Sequence, residues 1–475
     1  MLTIMKIYKK IKIKIIGILF IAGLSSCELL MQEPISDLTA DSFWKSQTDA
    51  EVGVAAIYSS MSTALARGLW DWGELRGESF LPHEKEAYDQ GELIFNNILN
   101  DNNATLWTQL YQVIGQANSA IKYIPSITMT PSLKNNLLAE AYTLRAWAYF
   151  YAVRVWGDVP LYTEPLEEIG PAMYRPREDK NYILENVVLV DLEKAYLMID
   201  RTSVKRTRVN VAAICAMLMD VNAWMHRYER VVTIMNERVN GLNSSNWNLI
   251  ATTPANFKND WRGIFIEDPV LPASREVLFK MAYEVFGNGI NQAVSYFASS
   301  QPKVWVSTYV KNSLYNAGTD MRFGSTQWES IDTQNSKLNR KFWYNGTVFS
   351  GTTGRDVDLV MYRYADIVLL YAEALAMTDN FSEAVYQLNR INTRAGNTAY
   401  FTADFVSQEE LIDAILLERH REFLGEGKRW FDLVRCNRLN LLEERNNVII
   451  KPNQIYFPIH RDHINQNPLI DQNPY

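Results

Sequence analysis

Apolar residues recur at spacings of three and four along most of this chain, the period that places successive side chains on one face of an α-helix. Leu110, Ile114, Ala117, Ile121 and Ile124 continue that rhythm from Trp107 until Pro125, which lacks the N–H that a further turn needs. Thr130-Pro131 opens the next helix, with Leu137, Ala141, Leu144, Ala148, Tyr151 and Val155 on its buried face and Gly157 beyond its end. Two long helices joined by so short a turn form an αα-hairpin. An earlier helix is predicted from Thr48 and Glu51, which stand in capping-box spacing, through Val54, Tyr58 and Met61. The period returns at Leu184, Val188, Leu192, Ala195 and Ile199, at Ile214, Leu218, Val221 and Met225, and at Tyr228, Val232, Met235 and Val239. It returns again at Tyr362, Ala365, Leu369, Ala372 and Ala376, with a partner at Ala384, Leu388 and Ile391 that Gly396 closes. These spacings predict a mostly α fold of tetratricopeptide-like helix pairs, each covering its neighbour's apolar face. The strict repeat consensus is absent, so the prediction rests on helix length and pairing.

Between Gly241 and Asp358 the period lapses, while Asn, Gly, Ser and aromatic residues accumulate, among them Trp247, Trp261, Trp305, Trp328 and Trp343. A loop-rich, partly β insertion on a helical scaffold is where binding usually resides. At the other end, Lys6, Lys9, Lys10, Lys12 and Lys14 precede the ten-residue apolar run Ile15 to Leu24. That run is far shorter than the roughly 20 residues that span a bilayer and has signal-peptide proportions. It ends in Leu24-Ser25-Ser26-Cys27, which resembles a bacterial lipobox whose cysteine becomes diacylated and N-terminal. Several acyl chains, at roughly 0.8 kcal/mol per buried CH₂, would hold a folded domain firmly on a membrane. The expected organisation is a lipoprotein signal peptide over 1–26, a tether over 27–41 and one domain over 42–475. Within that domain, helical repeats occupy 42–240 and 359–440 and the irregular insertion about 241–358.

The chain carries a net charge of −7, and removal of the five leading lysines takes the remainder to −12, which argues against nucleic acid or an anionic lipid surface as ligand. Cys215 and Cys436, the other two cysteines, lie in no C-x-x-C pair and near no spaced His cluster, so neither a zinc site nor a disulfide framework is indicated. Asp356 and Asp358 alternate as calcium ligands can, but two acids in a loop are ordinarily solvated; no metal and no cofactor is expected. No nucleophile elbow, zinc-protease, Walker or dinucleotide motif is present, and Gly425-Glu426-Gly427-Lys428 lacks the spacing that cradles phosphates. The competing enzymatic reading is a helical glycoside hydrolase with two carboxylates across a cleft, for which 54 acidic residues always offer a pair on paper. Glu418, Arg419, Glu422, Arg429 and Asp432 fall at helical spacings after Ser407 and Glu410, and are expected to form an ion-pair network between the last helices.

Several stretches, in order along nearly the whole chain after its leader, resemble the SusD/RagB family. They are Phe43-Trp44-Lys45, then Leu144-Arg145-Ala146 leading to Trp156-Gly157-Asp158-Val159-Pro160-Leu161, then Tyr362-Arg363-Tyr364-Ala365-Asp366 running into Leu370-Tyr371-Ala372-Glu373-Ala374-Leu375. There follow Leu388-Asn389-Arg390-Ile391-Asn392-Thr393-Arg394-Ala395-Gly396, the run Glu418 to Arg429, Phe431-Asp432-Leu433-Val434-Arg435, Phe457-Pro458-Ile459 and Gln472-Asn473-Pro474-Tyr475. Cys436 stands where that family commonly has Trp, and His460 and His463 replace a usual Pro and Glu, changes that touch local packing. The resemblance implies a SusD-like α-superhelix, lipid-anchored on the outer membrane and exposed at the cell surface. It further implies a protein that captures an oligosaccharide, without chemistry, for a SusC-like TonB-dependent transporter on whose mouth it closes like a lid. Relatives in the RagB branch handle peptides, and a scaffold with only protein partners is a third possibility.

A sugar binder needs aromatic faces for the apolar sides of sugar rings and amides or guanidinium groups for the hydroxyls. Trp70, Trp72 and Arg76, with Tyr88 farther along, form one such cluster, the tryptophans standing two residues apart outside any apolar period. Phe286, Asn288, Asn291, Tyr296, Phe297 and Trp305 form a second, after the strand expected from Glu276 to Tyr283. The resemblance places ligand-binding aromatics in these two regions. Trp107 and Trp147 lie inside long helices and are expected in the core.

Overall fold

The computed structural model describes residues 43–83, 88–168, 170–250, 252, 256–265, 274–283, 292–297, 302–316, 318–322, 329–330, 336–337 and 358–475. The leader, Cys27 and the tether lie outside the described residues. The chain is mostly helical. Its first helix, α1 (Gln47–Gly73), starts at Ser46, whose Oγ accepts from Asp49 N while the Asp49 carboxylate accepts from Ser46 N at 2.7 Å. The capping box therefore lies two residues before Thr48 and Glu51, because serine takes the N-cap position.

Helices α2 (Thr108–Tyr123) and α3 (Pro131–Trp156) form the expected hairpin, capped by Thr130 and closed by Gly157 at φ +76°. From Leu137 onward every residue of α3 except Tyr142 is buried. This helix is covered by α1, by α2 and by α4 (Leu189–Met198). The sequence showed one apolar face; the structure covers all of them, the environment of a central helix. The same holds for α5 (Val211–Trp224), which pairs with α6 (Tyr228–Ile234). After α7 (Phe257–Phe265), α8 (Tyr364–Met377) and α9 (Phe381–Asn392) form a further pair, and α10 (Gln408–Phe423) and α11 (Arg429–Arg435) complete the scaffold. The result is a helical superhelix. Among the described residues no helix is long and apolar enough to cross a membrane.

Four strands matter here: β1 (Phe80–Pro82), β2 (Val277–Met281), β3 (Val304–Val306) and β4 (Leu359–Arg363). β2 pairs antiparallel with β4, so the chain leaves and re-enters the helical scaffold side by side. Tyr362, read from its spacing as helical, lies in β4; Arg363, in extended conformation, caps α8. A small core of Phe257, Trp261, Ile264 and Phe265 packs under this pair.

Candidate functional site

Both aromatic clusters must be judged by where the helices and strands put them. α1 runs to Gly73, which makes Trp70 and Trp72 its last turn instead of a loop. Trp70 is fully buried, donates from Nε1 to Gly425 O at 2.9 Å and packs on Tyr296 and Phe297. Trp72 donates to Ala104 O and packs edge-on against Trp156. Arg76 is also buried: its guanidinium lies 3.6 Å over the Trp430 ring and donates to Asn96 Oδ1 and to the carbonyls of Gln454 and Ile455. Desolvation pushes its pKa down to about 9. Tyr296 is buried with its hydroxyl on the Asp71 carboxylate, and burial raises both groups. These four are core residues, a correction to their expected place at the ligand. The helix end is covered on every side, so its apolar residues show no period to read. Phe286, Asn288 and Asn291 lie outside the described residues, as does the side chain of Tyr88, which begins a short helix.

Trp305 is different. β3 pairs antiparallel with β1, Leu81 facing Trp305, while Phe80 and Val306 point inward from the neighbouring positions. This alternation leaves Leu81 and Trp305 half-buried on the outer face. His83, just beyond β1, donates its N–H to Lys303 O at 3.1 Å, and its ring meets the Trp305 indole edge-on at 4.6 Å. Trp305 Nε1 and His83 Nδ1 are both screened from solvent, and neither has a hydrogen-bond partner among the described residues. A buried polar atom without a partner costs about 1–3 kcal/mol, so what this strand pair offers outward is the half-buried indole itself, with the His83 ring against its edge. His83 was not singled out from the sequence. Its only signal there is a lone histidine after a short apolar run; what makes it part of a site is the strand pairing with residues more than two hundred positions away.

The expected charge network supports this rim. Arg419 does bind Asp432, at 2.8 Å, and also Asp366. The other partners come from farther off: Glu422 meets Arg322, Arg363 and Arg394, and Glu418 meets Arg322. Arg363 further binds Glu276 and Glu426, and apart from the half-buried Arg394 the members of this group are buried. Arg429 and Arg445 both hold Glu78, and Ser307 Oγ donates to Glu78 O at 2.7 Å, so the network fixes the start of β1 and its partner β3. The Gly425–Gly427 turn has a steric role. A Cβ on Gly427, at φ +72°, would lie 2.4 Å from Leu69 O, and the Glu74 carboxylate accepts from the N–H groups of Gly425 and Gly427.

Ser79, His420 and Glu78 deserve scrutiny as a hydrolytic constellation. Ser79 Oγ is 3.0 Å from His420 Nε2, but His420 Nδ1 is 3.6 Å from Glu78, too long for the bond that orients a base. All three are buried, and Glu78 is held by two arginines. Burial, then Arg429, drives the imidazole well below its ordinary pKa. The arrangement clamps β1 to α10. Asp358, the other acid weighed as a metal ligand, pairs with Lys280 at 2.7 Å, and no metal-holding group occurs among the described residues. Cys215 is buried and Cys436 half-buried, both unpaired.

Fold and rim together define a helical-scaffold protein with an aromatic strand pair at its surface. A family model described as the SusD family matches residues 297–475, and one described as starch-binding associating with outer membrane matches 79–222. The SusD-like protein P38 of Formosa agariphila is 29% identical over 99% of this chain and all of its own length. A crystal structure of a SusD superfamily protein from Bacteroides thetaiotaomicron, 25% identical, superposes with a TM-score of 0.76 over 90% of this chain and 98% of that one. The B. fragilis protein NanU shares the fold at 20% identity, with a TM-score of 0.74 over 93% of this chain and 99% of its own. The chain belongs to the SusD/RagB family.

Proposed function

We propose that this protein is a lipid-anchored, surface-exposed outer-membrane protein that binds an oligosaccharide at the Trp305–His83 rim and delivers it, unaltered, to a SusC-like TonB-dependent transporter. The observation that carries the reading is the half-buried Trp305 indole on the outer face of the β1–β3 pair, with the His83 ring set edge-on against it at 4.6 Å. An indole face covers the apolar side of a pyranose. The family description, starch-binding associating with outer membrane, supports the ligand class and the location.

Isothermal titration of the chain after Cys27 against plant, host and microbial glycans, with a mixed peptide pool alongside, tests it. Trp305→Ala is expected to weaken binding of the recognised glycan at least tenfold, the equivalent of about 1.4 kcal/mol, and His83→Ala severalfold, with unchanged melting temperatures. Heat from peptides alone would move the function to the RagB-like reading.

A further inference from the structure

A second place meets the requirements for a polar, ring-shaped ligand. A cleft of about 350 Å³ opens between the end of α3, the 180–185 helical segment, the turn after α5, and α11. Its size lies in the range of roughly 300–1,000 Å³ typical of ligand sites. It shares no lining residue with the Trp305 rim. Trp224 and Tyr456 line it with half-buried rings, and Lys180, Asn181, Glu185 and His226 stand around them.

Both rings are held from behind. Trp224 packs edge-on against Phe150 and Phe431, with centroids 6.5 and 6.2 Å away. Tyr456 lies on Gly157, where a Cβ would come within 3.3 Å of its ring, and below the Lys180 ammonium at 5.7 Å. The charges around the cleft are already matched. Lys180 faces Asp158 at 3.9 Å, Arg227 is in a close ion pair with Glu185, and Arg435 is shared between Glu373 and Asp432. An anion would find no spare cation here; a neutral ligand with many hydroxyls would find donors and acceptors of both kinds.

His226 adds an independent indication. At φ +57° it closes α5, with His226 N donating to Ala223 O and Arg227 N to Asn222 O. Glycine occupies such a position without strain. Here the strained position carries an exposed imidazole at the mouth of the cleft. We infer that the Trp224–Tyr456 cleft is a second saccharide-binding site, which takes a neutral oligosaccharide independently of the Trp305 rim. The inference rests on the reading of the protein as a saccharide binder.

The test uses the mature lipidated chain in detergent, titrated with maltoheptaose, xylohexaose and mannohexaose while the number of bound molecules is counted by native mass spectrometry. Two molecules of at least one of these sugars are expected per chain. Trp224→Ala and His226→Gly are each expected to weaken one of the two sites at least tenfold and leave the other. Because Trp224 also packs on the core, His226→Gly is the decisive variant: it relieves backbone strain, so a raised melting temperature should accompany the loss of binding, whereas a purely structural histidine would give the first without the second. A single site abolished by Trp305→Ala and untouched by either cleft variant overturns the inference and leaves the proposed function standing. Binding that survives Trp305→Ala and disappears in His226→Gly sustains the cleft and removes the rim. No binding of any of the three sugars overturns the inference.

Discussion

At the scale of single residues, the C-terminal histidines show what a substitution within a family pattern does physically. His463 stacks on Trp107 at 4.8 Å, and its Nε2 accepts the Trp107 backbone N–H at 3.2 Å, a bond available only to the neutral ring. Burial, then the neighbouring His460, lowers its pKa to about 4. The unfolded chain therefore takes up a proton near pH 6.5 that the folded chain refuses until about pH 4, and stability falls as pH drops through that window. Melting temperatures between pH 7 and 4 should show this decline, and His463→Gln should flatten it. Trp70 gives a second prediction: it fills the core and donates to Gly425 O, so Trp70→Ala should lower unfolding free energy by about 3–5 kcal/mol in urea titrations. Sugar affinity per folded molecule should not change, which separates Trp70 from Trp305.

At the scale of elements, the motif-rich helices α8, α10 and α11 are organised by buried charge. Arg363, Arg394 and Arg322 alternate with Glu276, Glu422, Glu426, Glu418 and Asp320, tying β2, β4, α9 and α10 together. Removing one member leaves charges buried without compensation, which costs about 3–5 kcal/mol where an isolated surface pair would be worth about 1 or less. Arg363→Met should accordingly be among the most destabilising single changes, measured by chemical denaturation, and should weaken glycan binding only through the folded fraction. Glu78, held by Arg429 and Arg445, ties α11 and the segment after it to the start of β1, the strand that His83 follows.

At the scale of the molecule, Trp44, at the start of the described residues, stacks on Tyr123 and covers Gly53. Sixteen residues separate Cys27 from Trp44, a reach of at most about 60 Å when fully extended. Cys27→Ala is expected to move the protein from the outer-membrane fraction to the soluble periplasmic fraction and to abolish co-purification of the transporter, with the unfolding curve of the domain unchanged; fractionation and immunoblotting would show it. A variant that stayed with the membrane would remove the lipid as its anchor.

The periods around Leu110 to Ile124 and Leu137 to Val155 determined the helix hairpin, and Thr130, Pro131 and Gly157 its ends, because caps and amphipathic spacing act within a few residues. The motif order determined the family for the same reason that it can be read at all: it is written along the chain. Local signals failed where burial came from all sides. Trp70 and Trp72 had no period because α1 is covered around its whole last turn, and Arg76 looked like a sugar-binding guanidinium because its Trp430 platform lies more than three hundred residues away. Ion pairs such as Arg429 with Glu78, and the pairing that puts His83 beside Trp305, join segments whose separation no spacing rule spans. Secondary structure is a near-neighbour property that the sequence carries by itself; which side chains are buried and which stay at the surface is a property of long-range contacts, and only the tertiary structure decided it.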